Sequence, residues 1–433
     1  MGCNIWRDCK RVPITELLSF IVDNRGKTVP TAPSGHKLIA TNCVTNDTLF
    51  PVYEKIRYLS EETYQTWFRA HPLPGDILFV NKGTPGRVCL VPDPVDFCIA
   101  QDMIALRVDD TKIYNKYLFA VLRSREIQQQ IYNTNVGDVI PHFKKQFMNQ
   151  LLIPVPEREI QETIGDLYYL LSFKIEHNKK INENLEKQAQ ALFNRWFVDF
   201  EFPNEEGKPY RSSGGKMVES EMGMIPEGWE IRILGDMVDT HGGYSYKGDE
   251  LQPSKNALAT IKNFNRNGGL RIDGFKEIIP LKNVKPAHYL KLYDVLVAHT
   301  DLTQAADVLG NCELLLTKLD YEEIIFSMDL VKVAPKIPKL NNFVLAQILS
   351  DKRFKNHALG YRNGTTVLHL SKKAVPDYEL PVPNNLVLFE KLGDLLRPLY
   401  MQISCNIALN RKLVELRDSL LPKLMNGSIE INV

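Results

Sequence analysis

The chain lacks most of the features that mark catalytic, secreted and membrane proteins. Its seven cysteines, at 3, 9, 43, 89, 98, 312 and 405, include no Cys-x-x-Cys pair. An odd, scattered set excludes a disulfide framework and reads as reduced thiols in a cytoplasmic protein. Nine histidines supply no His-Glu-x-x-His and no Cys/His cluster with zinc spacing. No Gly-x-Gly-x-x-Gly follows a strand, and two apparent phosphate loops fail. Ile21 stands where Asn24-Arg-Gly-Lys-Thr28 needs a leading glycine, and Met217 where Ser213-Gly-Gly-Lys216 needs a hydroxyl. The Asn-Pro-Pro-aromatic tetrad of a self-contained adenine methyltransferase is missing too, so catalysis, metal and cofactor are not expected in this chain. No apolar run approaches the ~20 residues of a membrane span, and the first ten residues hold no signal-peptide core. Charge of one sign is also missing. Lys and Arg number 53 and Asp and Glu 52, a net +1. A free-standing nucleic-acid binder is commonly far more basic, so any such role points to a partner that shares the phosphate contacts.

What is present is length and repetition. At 433 residues the chain has room for two to four domains. Over residues 156–200, apolar side chains fall mostly three and four apart from Ile160 through Ile164, Leu167, Leu171, Ile175, Ile181, Leu185, Ala189 and Leu192 to Trp196, without an internal proline. That periodicity predicts one amphipathic helix of roughly 65 Å at 1.5 Å per residue, longer than a compact domain usually needs. Residues 385–426 repeat the pattern through Phe389, Leu392, Leu396, Leu399, Ile403, Leu413, Leu420 and Leu424. The two stretches align with each other: Ile164-Gly-Asp-Leu167 falls on Leu392-Gly-Asp-Leu395, and Asn178 and Asn182 fall on Asn406 and Asn410. An asparagine on a coiled-coil seam fixes register because its amide needs a matched partner; on a solvated face it does nothing of the kind, and both placements fit the spacing.

The repeat continues upstream of each helix. Leu152-Ile-Pro-Val-Pro156 matches Glu379-Leu-Pro-Val-Pro383, His142 matches His369 within Gly137–Lys145 and Gly364–Lys373, and residues 115–122 match 341–348. The chain is therefore a tandem duplication of a mixed α/β domain followed by a long helix. The expected domains are 1–155 and 227–383, with helices over 156–201 and 384–427, a Pro/Gly/Ser-rich linker over 202–226 and a tail over 428–433.

Polar clusters sit at matching places in the two halves. Asn81, Lys82, Thr84 and Arg87 crowd a Gly-rich turn between predicted strands, chemistry suited to phosphates and guanine edges and equally found in an ordinary hairpin. Its counterpart carries different residues, His299, Thr300, Thr303 and Gln304. A shared frame with divergent tips is what two readers of different sequences should show. His142, Lys144 and Lys145 recur as His369, Lys372 and Lys373, preceded in the second half by Arg362 and Asn363, and offer either phosphate contacts or a solvated basic helix start. Asn42 and Asn263, in or beside matching strands, fit a bidentate adenine contact or a turn.

The helix ends are specific. Leu185-Glu-Lys-Gln-Ala-Gln-Ala-Leu-Phe-Asn-Arg-Trp-Phe-Val-Asp-Phe200 and Leu413-Val-Glu-Leu-Arg-Asp-Ser-Leu-Leu-Pro-Lys-Leu-Met-Asn-Gly427, with Pro226-Glu-Gly-Trp229 and the two Pro-Val-Pro closures, resemble the specificity subunits of type I restriction-modification systems. The resemblance spans essentially the whole chain, except that no Pro-Glu-Gly precedes Trp6. It implies two pseudo-symmetric target recognition domains, each reading half of a bipartite site in double-stranded DNA, and an antiparallel coiled coil that spaces the halves. It also implies partners: two methyltransferase subunits that use S-adenosylmethionine, and nuclease-translocase subunits, with no membrane. Trp196, Phe197, Phe200, Leu420, Leu421 and Leu424 crowd apolar area near the helix ends, where a partner helix could bury it. A complete methyltransferase and a pure coiled-coil scaffold are the rival readings; the first lacks its motifs, and the second has no need of two elaborate α/β domains.

Overall fold

The periodic stretches form two long helices, Arg158–Phe197 (the central helix) and Val387–Met425 (the C-terminal helix). The computed structural model describes residues 4–431 apart from 25, 27, 135–140, 267 and 366. It divides into two units, one built from the residues up to Asn178 with those from Asn410 onward, the other from Lys179–Leu409. Both boundaries fall inside the long helices.

Within each unit the helices pair antiparallel. In the first, Ile164 and Tyr168 share a core with Leu421 and Leu424, while Asn178 Nδ2 donates to Asn410 Oδ1 at 2.8 Å. In the second, Phe197 stacks on Phe389, and Asn406 Nδ2 donates to Asn182 Oδ1 at 2.8 Å. Asn178 and Asn406 are buried, so the seam placement is the one adopted. Duplication maps one amide pair onto the other, and each is satisfied only in this register.

The glycine in the repeated Ile-Gly-Asp and Leu-Gly-Asp motifs has a packing cause. A Cβ on Gly165 would lie 2.6 Å from the backbone nitrogen of Tyr117, where the central helix crosses helix α1 (Asn115–Leu122). At Gly393 it would overlap the side chain of Asn341, whose Oδ1 caps helix α2 (Asn342–Ser350) by accepting the N–H groups of Phe343 and Val344 at 3.0 Å. Asp166, beside Gly165, accepts from Tyr114 Oη at 2.8 Å and Lys116 Nζ at 2.7 Å. Gly165→Ala is therefore expected to destabilise the first unit by about 1–3 kcal/mol, as overpacking against backbone does, despite alanine's better helix propensity. Urea melts of the two proteins check this; a more stable variant would mean that the crossing gives way.

The duplication is explicit in the sheets. The first unit holds an antiparallel sheet of β1 (Leu18–Val22), β2 (Ile77–Val80), β3 (Val88–Leu90) and β4 (Met103–Val108) in the order β1-β4-β2-β3. The second repeats it with β5 (Val238–Gly242), β6 (Val295–Ala298), β7 (Cys312–Leu314) and β8 (Leu330–Pro335) in the order β5-β8-β6-β7. β2 and β6 read as apolar runs because both of their faces are buried. Beside each lies a three-stranded mixed sheet, centred on His36–Ile39 in one unit and Asn256–Ala259 in the other. In each unit an early strand pairs with the Pro-Val-Pro segment, Lys10–Pro13 with Leu152–Val155 and Trp229–Ile233 with Glu379–Pro383.

Two expectations are corrected. Residues 202–226 are not a bare linker: Met217–Ser220 and Gly223–Pro226 form a hairpin, and Phe202 and Ile225 are buried against a core that includes Trp229. Residues 116–132 and 343–354, each of which reads as one helix in the sequence, are each broken in two, at Arg123-Ser124 and at Asp351. Asp351 caps its second helix through the Arg353 N–H at 2.8 Å, a polar end the apolar spacing does not reveal. Of the repeat's matched segments, residues 137–140 and 366 lie outside the described residues.

Candidate nucleic-acid interface

In each unit the chain leaves the second sheet strand at a polar tip, and a distant His-bearing segment returns to meet it. In the first unit, Lys82 forms an antiparallel bridge with His142, and the N–H of Gly83 donates to Pro141 O at 3.0 Å. Gly83 and Gly86 hold φ of 84° and 88°, which glycine adopts without steric cost, so the turn brings Thr84 and Arg87 to the same edge. Lys82 stands exposed, 4.0 Å from Asp102. Lys144 and Lys145 are exposed as well, with Lys145 Nζ 3.1 Å from Asp23.

The second unit builds the tip more fully. Thr300–Asp301 pairs with Leu368–Leu370, which pairs with Arg362–Asn363, a three-stranded antiparallel ribbon. Thr300 Oγ1 meets His369 Nδ1 at 3.1 Å. Arg362, Asn363, His369, Lys372 and Lys373 are all exposed on this ribbon or just beyond it, and Gln304 reaches the carbonyl of Thr365. Residues some sixty positions apart in sequence, which spacing could only match by duplication, are thus brought together in both units.

Electrostatics sort these groups further. Burial, with His369 and Lys372 adding to it, pushes His299 below the usual imidazole range, so it is neutral at pH 7. Asp301 was not anticipated. Burial raises its pKa, but the N–H groups of Val308 and Thr303 and the Thr303 hydroxyl outweigh this and hold it low. Those donors lie at 2.7–2.9 Å, so Asp301 fixes the loop that carries Gln304 and Leu302, the latter 67% exposed. The signal was an Asp-x-Thr turn, legible at Asp301-Leu-Thr303.

Three expected base-reading asparagines serve the fold. Asn81 is buried, with Nδ2 donating to Phe143 O at 3.3 Å. Asn263 is buried too, accepting from the Thr260 N–H and donating to Arg271 O, both at 2.9 Å. Asn42 is exposed, but its Nδ2 donates to Glu54 O at 2.9 Å. The expected docking residues are corrected in the same way. Trp196, Phe197, Phe200, Leu421 and Leu424 are buried inside the chain's own cores, and Leu420 packs partly buried against one of them. Their apolar area is already covered. Among the described residues, no cluster of three or more His, Cys, Asp or Glu could hold a metal, and no helix is long and apolar enough to cross a membrane.

Comparison with known proteins agrees with this architecture. The family model described as the type I restriction modification DNA specificity domain matches residues 31–187. The type I restriction enzyme MjaIX specificity subunit of Methanocaldococcus jannaschii is 25% identical over 360 residues, 82% of this chain and 78% of the relative. The HindI specificity subunit of Haemophilus influenzae is 25% identical over 409 residues, covering 82% of this chain and 86% of its own. In fold, the crystal structure of the type I restriction-modification S subunit from M. genitalium superposes with a TM-score of 0.57 at 15% identity, covering 96% of this chain and 95% of that one. With the duplicated α/β units and paired long helices already described, the chain is similar over most of its length to the specificity subunits of type I restriction-modification systems.

Proposed function

We propose that the chain reads a bipartite DNA site, one half with each polar tip, and supplies specificity rather than catalysis. The gap between the halves is set by the paired long helices. Two methyltransferase subunits using S-adenosylmethionine, joined by nuclease-translocase subunits, act on the bound site.

One observation carries this reading. The same frame, a tip after the second sheet strand bridged to a His-bearing segment, recurs in both units as Lys82 with His142 and Thr300 with His369, while the residues on it differ. Arg87 and Lys82 on one tip, and Gln304, Arg362 and Asn363 on the other, have the donor and acceptor chemistry of base edges. The exposed Lys144, Lys145, Lys372 and Lys373 suit phosphates. With a net charge of only +1, these few cations leave a share of the phosphate contacts to the partners.

Methylome sequencing of cells carrying the system tests it. Arg87→Ala is expected to relax specificity within one half-site, by about 1–3 kcal/mol at the affected base pair, and to leave the other half and the gap unchanged. Seven residues added near Asn182 with seven near Asn410 preserve the heptad, lengthen the pair by roughly 10 Å and widen the gap by about three base pairs. A lengthened pair that altered the half-sites but not the gap would show that reader and ruler are assigned to the wrong elements.

A further inference from the structure

A cleft of about 430 Å³ lies within the second unit. On its wall β7 contributes Glu313, 8% exposed, whose Oε1 accepts the Gly269 N–H at 2.6 Å. Glu186, from the central helix, stands exposed at its mouth. Gln347, from α2, is 3% exposed and also lines the cleft; its Nε2 donates to Tyr400 Oη, and its Oε1 has no partner. A buried acceptor left unpaired costs roughly 1–3 kcal/mol. The carboxyl groups of Glu186 and Glu313 and an open amide oxygen therefore share a space with Asp307 and three cations, Arg266, Lys352 and Lys355. The cations that line it are engaged elsewhere or turned to solvent. Lys355 Nζ donates to Asn311 Oδ1 at 2.6 Å and to the carbonyls of Asp307 and Leu309, Arg266 lies 3.8 Å from Asp307, and Lys352 is exposed.

The first unit shows what such a joint takes when it is filled. The repeat that lays residues 115–122 over 341–348 puts Arg123 over Leu349, and Leu349 lines the cleft. Arg123 Nη2 donates to Val88 O on β3 at 2.7 Å and to Thr45 O at 3.2 Å, and its guanidinium lies 4.4 Å from the centre of the Phe119 ring. β3 is the counterpart of β7, which carries Glu313. One unit thus brings its own guanidinium to the place where the other has an open cleft and carboxyl groups.

We propose that the cleft binds a small organic cation, a molecule with a guanidinium or primary ammonium group that lies between Glu186 and Glu313 and donates to Gln347 Oε1. The ligand would join α2 and β7 within the second unit as Arg123 joins α1 and β3 in the first, and would reach the central helix through Glu186. Burial raises the Glu313 carboxyl to about 8, so binding below that pH would displace its proton, and affinity would rise with pH until the carboxyl is ionised.

The test is calorimetry and thermal melting of the full chain with agmatine, with putrescine and free arginine as further probes. Expected are one saturable site, a raised melting temperature, proton release seen as a buffer-dependent heat, and weakening by about tenfold or more in Glu313→Gln and in Glu186→Gln. Leu349→Arg, which restores the built-in cation, should abolish the response; if that variant fails to fold, the two glutamine variants decide alone. Absence of saturable binding by all three probes overturns the proposal. So does a melting shift that magnesium chloride reproduces or that survives both glutamine substitutions, since either would be surface screening.

Discussion

Phe197→Ala is expected to destabilise the second unit by about 3–5 kcal/mol, the usual cost of removing a large aromatic side chain from a packed core. Phe197 is 4% exposed, with its ring centre 5.2 Å from Phe389, 5.3 Å from Trp229 and 5.6 Å from Phe193. These rings come from both long helices and from the strand that opens the second α/β domain, so the cavity left behind has rigid walls on three sides and cannot readily collapse. A thermal or urea melt should show an early transition that wild-type lacks. Co-elution with methyltransferase subunits, measured well below that transition, should be unchanged. Lost co-elution with an unchanged melt would return Phe197 to the docking role that its place near a helix end suggests in sequence.

The contrast shows what the sequence makes legible. Periodicity reports that a face is apolar, not what covers it, so the helices were found to within a few residues and the partner of Trp196, Phe197 and Phe200 was not. Duplication was stronger information. It paired His142 with His369 and the turn at Lys82 with that at Thr300, and the structure brings each His to its own tip. It also matched the four seam asparagines, because a buried amide needing a partner constrains sequence at both ends of the pair. Individual amides elsewhere were opaque. Asn81, Asn263 and Asn42 carry the groups a base contact requires, but each commits its amide nitrogen to a backbone carbonyl, and that choice depends on which carbonyl the fold delivers. Residues 202–226 read as a linker for a related reason. Proline and glycine mark turns without saying whether Phe202 and Ile225 between them reach a core.

Glu313 gives the last expected result, one that needs no ligand. Burial, with Glu186 nearby adding to it, raises its carboxyl to about 8 despite the Gly269 N–H. In the unfolded chain the same group titrates near ~4.3. Between these values the folded protein holds a proton that the unfolded chain releases, so the stability Glu313 contributes is intact below about pH 4 and is lost as pH rises through about 8. The same cleft holds Glu186 and Tyr400 on the long helices, Cys312 on its own strand, Asp307, and the cations Arg266, Lys352 and Lys355, of which Lys355 is bonded to Asn311 and Arg266 lies 3.8 Å from Asp307. Glu313→Gln keeps an oxygen for the Gly269 N–H and does not titrate. The variant should match wild-type near pH 4.5 and exceed it increasingly up to pH 8, by a few kcal/mol at a slope approaching ~1.4 kcal/mol per pH unit. Urea melts across that range, in buffer free of amines, measure the difference directly. Parallel curves would mean that Glu313 ionises in the folded chain as it does in water, with enough solvent in the cleft to hydrate it.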